Sequence, residues 1–383
     1  MSSGCTTFRK TVLTAGITLA VAVFAGCAFK NLNASVNGPV NTELTISSMA
    51  ASESVTEEET TPEPTAVPTP ATEPAETPAP TATPAPLTVK VSFAGDCTLA
   101  SAAGAYNRFN AVVKKRWDYP FKNCKNIFSN DDLTLVNCEM AITSSKKPAK
   151  KKSAFAMKPE GTKYFTNSGI EAVNLANDHT LDFGQSGLKD TRNNLTKAGI
   201  LWSDSSNYAI YEAKNGVKIG MCGYISTYGL NKTYNLIKQL RAKGCQIVIV
   251  SCHWGLDAKY KPIKSQTSRG RALIDHGADI VVGTHPQRLQ PIEVYKDKYI
   301  LYSIGGFCLG DNKKPGDTDS CIAQCTFVLD ETGKKVTDYR LNIIPFSLRS
   351  SKSGNDYCPK PYTFESKAYD RVMARLNWAQ GDE

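Results

Sequence analysis

The apolar positions between residues 87 and 350 fall into short runs separated by segments with helical periodicity. Six of these runs are suited to buried strands: TVKVSFAGD, LTLVNCE, EAVNLANDH, VKIGMCGY, CQIVIVSCH and DIVVGTH. Helical spacing that ends at a glycine predicts helices over residues 185–198, 234–243 and 267–276. Strands that alternate with helices predict an α/β fold for this part of the chain.

After Pro291 the pattern changes to β-hairpins. The segments PIEVYKDKYILYSIGG and CIAQCTFVLDETGKKVTDYRLNIIPF each predict two strands, with turns at KDK and ETGK. Residues 351–383 form a C-terminal extension, in which a helix is predicted over 366–380. Its apolar face consists of Tyr369, Val372, Met373 and Leu376. We interpret that face as a core contact.

The first 30 residues have the pattern of an export signal. Arg9 and Lys10 precede the apolar stretch TVLTAGITLAVAVFAG, and Cys27 follows it. FAGC resembles a lipobox, so residues 1–27 are predicted to be a lipoprotein signal peptide with Cys27 as the lipidated residue. An uncleaved membrane anchor is the alternative, because residues 11–29 are just long enough to span a bilayer. Both interpretations place the protein at the extracellular face of the cell membrane.

The segment of residues 28–86 is predicted to be a disordered Thr/Pro/Glu-rich tether. Residues 31–86 contain eight Glu but no Asp, Lys or Arg, and proline is frequent from Thr61 onward. Such a composition cannot bury a core. An extended chain of this length could reach on the order of 100 Å or more.

The remaining chain is basic. Residues 87–383 contain 42 basic and 28 acidic residues, a net charge of +14, which indicates an anionic partner. Five lysines lie within residues 146–152. This basic segment is interpreted either as a solvated loop or as a guide for an anionic polymer, for which Lys150, Lys151 and Lys152 are the predicted contacts. We predict no nucleic-acid partner, because the chain carries an export signal and no recognised nucleic-acid motif.

Five of the six apolar runs end at a residue that can bind a metal ion. These residues are Asp96, Glu139, Asp178 with the adjacent His179, His253 and His285. The carboxyl ends of strands in open α/β sheets meet at one crevice, so side chains distant in sequence can share a site there. Oxygen and imidazole ligands suit a divalent ion such as Mn, Mg, Fe or Zn.

Three cysteines adjoin these residues: Cys97, Cys138 and Cys252. Neighbouring residues of a strand point to opposite faces, so the thiols are expected to point away from the crevice. We interpret them as packing residues or disulfide partners. Thiolate ligation of zinc is the alternative.

Six motifs occur in order along the chain: FAGD, NCE, NLANDHTLDFG, CHWG, GTHPQRLQPIE and LYSIGGF. Together they resemble the CapA family of poly-γ-glutamate capsule synthesis proteins, from about residue 89 to residue 308. The resemblance implies a metallophosphoesterase-like β-sandwich flanked by helices (α/β/β/α) over residues 87–350. It also implies His179 as an acid or oxyanion-stabilising group. The metal ligands that it implies are Asp96, Glu139, Asp178, His253 and His285.

The sequence departs from the family pattern at two ligand motifs. It has Asn177, Asp178 and His179 where the family often has Asn-Asn-His, and Gln287 where it often has a second histidine after His285. An amide oxygen binds metal more weakly than an imidazole, so we expect one tightly bound ion and a second, weak one at Gln287.

Three further residues are assigned roles beside the predicted metal site. Asp182 is assigned to orient the His179 imidazole, with a helix cap as the alternative. Asn177 and Arg288 are assigned to substrate binding.

Three functions are compatible with these features. The first is an exported, tethered protein that acts in synthesis, release or export of poly-γ-glutamate or a similar anionic envelope polymer, by metal-assisted hydrolysis or transfer. The second is a non-catalytic polymer-handling subunit that partners membrane synthesis proteins. The third is an exported phosphodiesterase or nucleotidase.

Overall fold

The structure is a computed structural model that describes the strand Thr42–Glu43, residues 86–151 and residues 153–378. The predicted signal segment with Cys27, nearly all of the predicted tether, and Lys152 lie outside the described residues. Among the helices of the described part, none has the length and apolar character needed to cross a bilayer.

The described residues form seventeen strands and seven α-helices. In chain order, the strands are β1 (Thr42–Glu43), β2 (Thr88–Thr98), β3 (Leu133–Cys138), β4 (Ala141–Ile142), β5 (Ala156–Met157), β6 (Ala172–Asn174), β7 (Leu201–Ser203), β8 (Ala209–Glu212), β9 (Lys218–Ile225), β10 (Ile247–His253), β11 (Ile280–Thr284), β12 (Leu289–Tyr295), β13 (Lys298–Ile304), β14 (Gly306–Leu309), β15 (Asp319–Leu329), β16 (Val336–Ser347) and β17 (Lys360–Pro361). The helices are α1 (Arg108–Val113), α2 (Lys125–Phe128), α3 (Lys163–Thr166), α4 (Gly184–Lys197), α5 (Asn231–Ala242), α6 (Lys264–Asp275) and α7 (Lys367–Leu376).

The strands form two large sheets. The eight-stranded sheet has the order β17-β16-β15-β2-β3-β6-β7, with β14 paired to β2, and its strands β2, β3, β6 and β7 are parallel. The seven-stranded sheet has the order β1-β8-β9-β10-β11-β13-β12, and β9, β10, β11 and β13 are parallel. A small third sheet pairs β4 with β5.

The two large sheets pack face to face and carry helices on their outer faces. Phe93 and Leu135 of one sheet and Ile249 of the other belong to the same buried core. Helices α1 to α4 cover the outer face of the eight-stranded sheet, and α5 and α6 cover that of the seven-stranded sheet. The resulting layers are α/β/β/α, which confirms the predicted fold class.

The predicted elements agree with the structure, but their ends differ. All six apolar runs contain strands, and the EAVNLANDH run contains only the three residues of β6. Helices α5 and α6 each begin three residues before their predicted starts. Helix α7 is shorter than predicted, because Asn377 takes a left-handed conformation and ends it. Its Val372 and Leu376 are buried in the core between the sheets.

Candidate metal centre at the strand ends

The five predicted metal ligands converge at one edge of the sandwich, and they come from both sheets. Asp96 lies near the end of β2 and Glu139 directly follows β3, whereas His253 ends β10 and His285 follows β11. Asp178 lies on the loop after β6. Three overlapping groups have ligand atoms within 4.8 Å of one another: Asp178 with His253 and His285, Asp96 with Glu139 and His253, and Glu139 with Asp178 and His179.

Asp96 reaches this edge because strand β2 carries a bulge. The pairing of β2 with β3 shifts between Ala94 and Asp96, which leaves Gly95 as the extra residue. A Cβ at Gly95 would lie 1.9 Å from the carbonyl oxygen of Gly305. The backbones approach so closely here that only glycine fits, and the bulge turns the Asp96 carboxylate toward the centre.

Three buried asparagines connect Asp96 to the rest of the site. The Asn137 amide donates to Asp96 Oδ1 at 2.7 Å and accepts from Asn174 Nδ2 at 2.9 Å. Asn177 Nδ2 donates to Asn137 Oδ1 at 3.2 Å and to the Cys138 carbonyl at 2.9 Å. The sequence analysis missed Asn137 and Asn174. Their signal is a lone amide inside an otherwise apolar strand, which must find polar partners when buried.

Two carboxylates of the centre are buried without an equal positive charge nearby. Burial raises the pKa of Asp96, although His253 and the Asn137 hydrogen bond oppose this effect. Burial, together with the charges of Asp96 and Asp178, raises the pKa of Glu139 well above its usual range. A divalent cation would neutralise this excess of negative charge, and the donor atoms suit one. The residues therefore fit a divalent metal ion, whose identity they do not specify.

Asp178 and His285 lie on the more open side of the centre. Burial opposes ionisation of Asp178, but the hydrogen bond from His253 and the neighbouring imidazoles outweigh it and lower the pKa of this carboxyl. Burial and the charge of His253 lower the pKa of His285, which favours the neutral imidazole that binds metals. His285 Nδ1 lies 3.1 Å from His253 Nε2.

The backbone around His285 is strained. His285 has a φ of 95° and Gln287 a φ of 51°, which are unusual values for residues with a side chain. The His285 amide donates to Asp96 Oδ2 at 3.3 Å, which helps to hold this conformation. Such strain persists where surrounding contacts fix it, and it is concentrated at functional sites.

His179, Asp182 and Lys151 form a polar chain beside the metal ligands. His179 Nδ1 lies 2.8 Å from Asp182 Oδ2, and Lys151 Nζ donates to Asp182 Oδ1 at 2.6 Å. Asp182 is fully buried and also accepts a hydrogen bond from the Phe155 amide at 2.6 Å. Asp182 thus contacts the imidazole as predicted. Lys151 is exposed, and its ammonium group is paired with this buried carboxylate, so its role in substrate binding stays a prediction.

A cleft of about 350 Å³ lies on the His179 side of the centre and is lined by Glu139, His179 and Gln287 among others. Gln287 therefore lies at the site, and its role as the ligand of a weak second ion stays a prediction. Arg288 Nη1 donates to the Gln287 carbonyl, and its Nε lies 3.8 Å from Asp317. Lys150 is exposed. Substrate binding by Lys150, Arg288 and Asn177 also stays a prediction.

The cysteines do not take part in the centre. The ten cysteines of the described residues are free thiols and buried, and burial raises the pKa of Cys97, Cys138 and Cys252. All three belong to the apolar clusters under the outer helices. The metal-binding groups found among the described residues contain no cysteine. These thiols are therefore packing residues.

The chain is an α/β/β/α sandwich that gathers carboxylates and imidazoles at its strand ends, in groups that could hold a metal ion. The family model described as "Bacterial capsule synthesis protein PGA_cap" matches residues 90–311. The chain belongs to this family, which confirms the resemblance seen in the six motifs.

Two curated relatives show the extent of the similarity. The chain is 31% identical to "PGA biosynthesis protein CapA" of Bacillus subtilis (strain 168) over 64% of its own length and 70% of that protein. It is 29% identical to "Capsule biosynthesis protein CapA" of Bacillus anthracis over 64% of each chain. Each relative thus has a further part that the match does not reach.

Among solved structures, the fold overlaps that of the calcineurin-like phosphoesterase YfkN from Bacillus subtilis with a TM-score of 0.42. The two chains share 12% identity, and the overlap covers 76% of this chain and 97% of the other.

Proposed function

We propose that this chain is an exported, membrane-tethered protein that acts on poly-γ-glutamate or a similar anionic envelope polymer by metal-assisted hydrolysis or transfer. The observation that carries the proposal is the convergence of Asp96, Glu139, Asp178, His253 and His285 at one point, with His179 beside them. The names of the capsule and PGA biosynthesis relatives support the polymer pathway. The amino-terminal pattern ending at Cys27 supports export and tethering.

A divalent ion held by the five ligands would supply Lewis acidity, which polarises a substrate oxygen and acidifies a water molecule. The chain's own contribution is to hold the ligands in place. Asn137 fixes the Asp96 carboxylate, and Thr98 Oγ1 fixes Glu139 by donating to Oε2 at 3.1 Å. Thr284 Oγ1 lies 3.2 Å from His253 Nδ1, which leaves Nε2 of that ring directed at the centre.

His179 is placed to exchange a proton with the substrate. Asp182 is a hydrogen-bond acceptor for His179 Nδ1, so the ring proton is held at that nitrogen. Nε2 of the neutral ring can then accept a proton, and once the ring is an imidazolium the same nitrogen can give that proton to a leaving group. Lys151 Nζ donates to the same carboxylate at 2.6 Å and lies 3.4 Å from Nδ1, which holds Asp182 in place.

The basic segment supports an anionic substrate. Lys146, Lys147 and Lys150 are exposed, while Lys151 attaches the segment to the His179 loop. The Ala149 amide also donates to the Asp182 carbonyl at 2.8 Å. The free lysines are therefore held next to the cleft, where they would raise the local concentration of a polyanion.

The reaction is tested with the purified full-length chain and a substrate screen. We expect cleavage of γ-glutamyl oligomers that depends on added Mn and stops when the metal is chelated. A matched variant with His253→Ala should be inactive, because His253 belongs to two ligand groups. Cleavage of model phosphoesters alone would replace this proposal by the phosphodiesterase function. Metal binding without any turnover would indicate a non-catalytic polymer-handling subunit.

Tethering is tested by cell fractionation with Cys27→Ala. We expect the parent chain in the membrane fraction and accessible to protease added outside the cell. If Cys27 is lipidated, the variant should leave the membrane fraction or accumulate with its signal uncleaved. A variant that fractionates and is processed like the parent would indicate the uncleaved anchor.

A further inference from the structure

A second cavity, of about 390 Å³, opens next to the metal centre on the side of Asp178. Its walls come from the loop after β6, from helix α4 and from the loops after β7 and β9. Asp178 is both a wall of this cavity and a member of a metal-binding group. We call the cavity the flanking pocket. Its volume lies within the range of small-molecule sites.

One arginine in the flanking pocket keeps most of its hydrogen-bonding capacity unused. Arg192 donates to Asp204 Oδ2 at 2.5 Å, and its guanidinium lies 5.0 Å from the centre of the Trp202 ring. Within the described residues its other N–H groups make no hydrogen bond. The Nε atom is buried and unpaired. A buried donor without an acceptor is costly. The Arg192 side chain as a whole is 31% exposed and lines the pocket, so a ligand oxygen can reach its unpaired terminal nitrogen, Nη1.

A second arginine–aspartate pair of similar geometry and exposure differs from this one in its further hydrogen bonds. Arg241 pairs with Asp279 at the same 2.5 Å, and the side chains are 34% and 5% exposed, against 31% and 4% for Arg192 and Asp204. Arg241 also donates to three backbone carbonyls, those of residues 245, 246 and 277. Arg241 thus uses its remaining N–H groups in hydrogen bonds to the backbone, whereas those of Arg192 make no hydrogen bond within the described residues.

Asp204 is stabilised by its own loop and leaves the guanidinium available. It accepts hydrogen bonds from the amides of Ser206 and Asn207 at 2.8 and 3.0 Å, and from Asn207 Nδ2 at 3.0 Å. Asp204 and the Trp202 ring hold the guanidinium in place, and the N–H groups that make no hydrogen bond are available to an oxyanion.

The other walls of the flanking pocket suit a short aliphatic unit with amide links. Leu181 and Tyr228 are partly exposed apolar side chains at its rim. Gln185, Ser205 and Thr227 also line it, and in the described part of the chain their side chains make no hydrogen bond. The pocket thus offers apolar contacts for the methylene groups of a ligand, polar groups for its amides and one guanidinium for its carboxylate.

We propose that the flanking pocket is a subsite that binds one carboxylate-bearing unit of the substrate chain, with Arg192 as the recognition residue. This inference rests on the proposed function, since it assigns the acidic unit of the polymer to a position beside the metal centre. The pocket holds one cation next to the carboxylates of Asp178 and Asp204. The two carboxylates repel a doubly charged phosphate monoester more strongly than a singly charged carboxylate.

The test measures binding of tri-γ-glutamate to the purified full-length chain by calorimetry, with chelator present so that no bond is cleaved. Arg192→Gln should weaken binding by about tenfold or more, because a charge-assisted contact is lost. Arg241→Gln is the matched control and should bind as the parent does. The same tripeptide with its α-carboxylates amidated should bind weakly to the parent and lose nothing further in Arg192→Gln.

Three results would overturn the subsite: unchanged binding in a folded Arg192→Gln variant, equal binding of the acidic and amidated tripeptides, or tighter binding of a glycerol-phosphate oligomer than of tri-γ-glutamate. If Arg192→Gln melts well below the parent, Arg192→Lys and Tyr228→Ala replace it. Each should weaken binding, and no effect from either would contradict the proposal.

The outcome is separable from that of the proposed reaction. Binding through Arg192 without any cleavage would support the subsite and contradict the proposed reaction. If Arg192→Gln leaves cleavage unchanged, the proposed reaction stands and the subsite does not.

Discussion

His179 lies beside a predicted metal ligand and is the residue proposed to transfer a proton. Its neighbour in sequence, Asp178, is a predicted metal ligand, and His179 Nε2 lies 3.6 Å from Asp178 Oδ2. Its Nδ1 is engaged by the buried carboxylate of Asp182. A ring held at one nitrogen in this way is suited to proton transfer at the other, whereas the five ligands would hold the ion without it.

We therefore expect His179→Ala to lower turnover by about 10²-fold or more, the usual effect of losing a general acid. Bound metal, measured by elemental analysis, should stay close to the parent level. His276→Ala is the matched control, because that ring stacks on Tyr234 at 3.5 Å and directly follows α6, away from the centre. Equal loss of turnover and of bound metal in His179→Ala would instead indicate that His179 only positions Asp178.

Strand β2 depends on a glycine to bring its ligand to the centre. Gly95 forms the bulge, and the amide of Asp96 donates to the Gly305 carbonyl at 3.3 Å. The same carbonyl occupies the space into which any side chain at position 95 would project. The position of Asp96 is therefore set by the close approach of two backbones.

Gly95→Ala should lower the free energy of unfolding by at least about 2 kcal/mol, because the added methyl forces β2 away from Gly305. Metal affinity should fall as well, since Asp96 moves with the strand. Chemical denaturation and metal titration measure the two effects. In Gly316→Ala the added methyl meets no atom within 4 Å, and stability should change by less than about 0.5 kcal/mol. A Gly95→Ala variant as stable as that control would contradict this account of the bulge.

Some basic side chains of the domain are paired with carboxylates, whereas others are exposed. Several basic side chains are engaged in structural pairs, such as Arg371 and Arg375 of α7 with the buried Asp319. The lysines of residues 146–150 are exposed and lie on the segment that Lys151 attaches to the His179 loop. These lysines are thus available to attract a polyanion to the edge where the ligands meet.

Changing Lys146, Lys147 and Lys150 together to Gln should weaken binding of poly-γ-glutamate by about tenfold at low salt. The difference should shrink as salt rises, because exposed charges are screened over about 10 Å at 0.1 M ionic strength. Binding isotherms at several salt concentrations measure both effects. The control changes Lys214, Lys334 and Lys335, which are exposed in turns at the opposite edge. An equal loss in both triple variants would show that net charge alone attracts the polymer.

Much of the fold follows from local patterns. Apolar runs and helical spacing predicted helices α4 to α7 and the longer strands, because each depends on residues a few positions apart. The short helices α1 to α3 and the short strands β7 and β8 were not predicted. Element ends were less predictable. Helix α7 stops at Asn377 through a backbone conformation that the periodicity does not signal.

The ligand types were also evident in the sequence, because a carboxylate or an imidazole at a strand end keeps its chemistry wherever the strand lies. The partners of those ligands were not evident. The buried asparagines 137 and 174 take their roles from strand register across β2, β3 and β6, which no local pattern encodes.

The amino-acid sequence by itself thus determined which groups are able to bind a metal and which longer segments are strands or helices, because both are properties of short stretches. Folding in three dimensions settled how those groups combine. It brought ligands from two different sheets to one edge, paired Lys151 with the buried Asp182, and opened a cavity around an incompletely bonded Arg192. Each of these depends on contacts between residues far apart in the chain, where packing and register, not sequence spacing, set the distance.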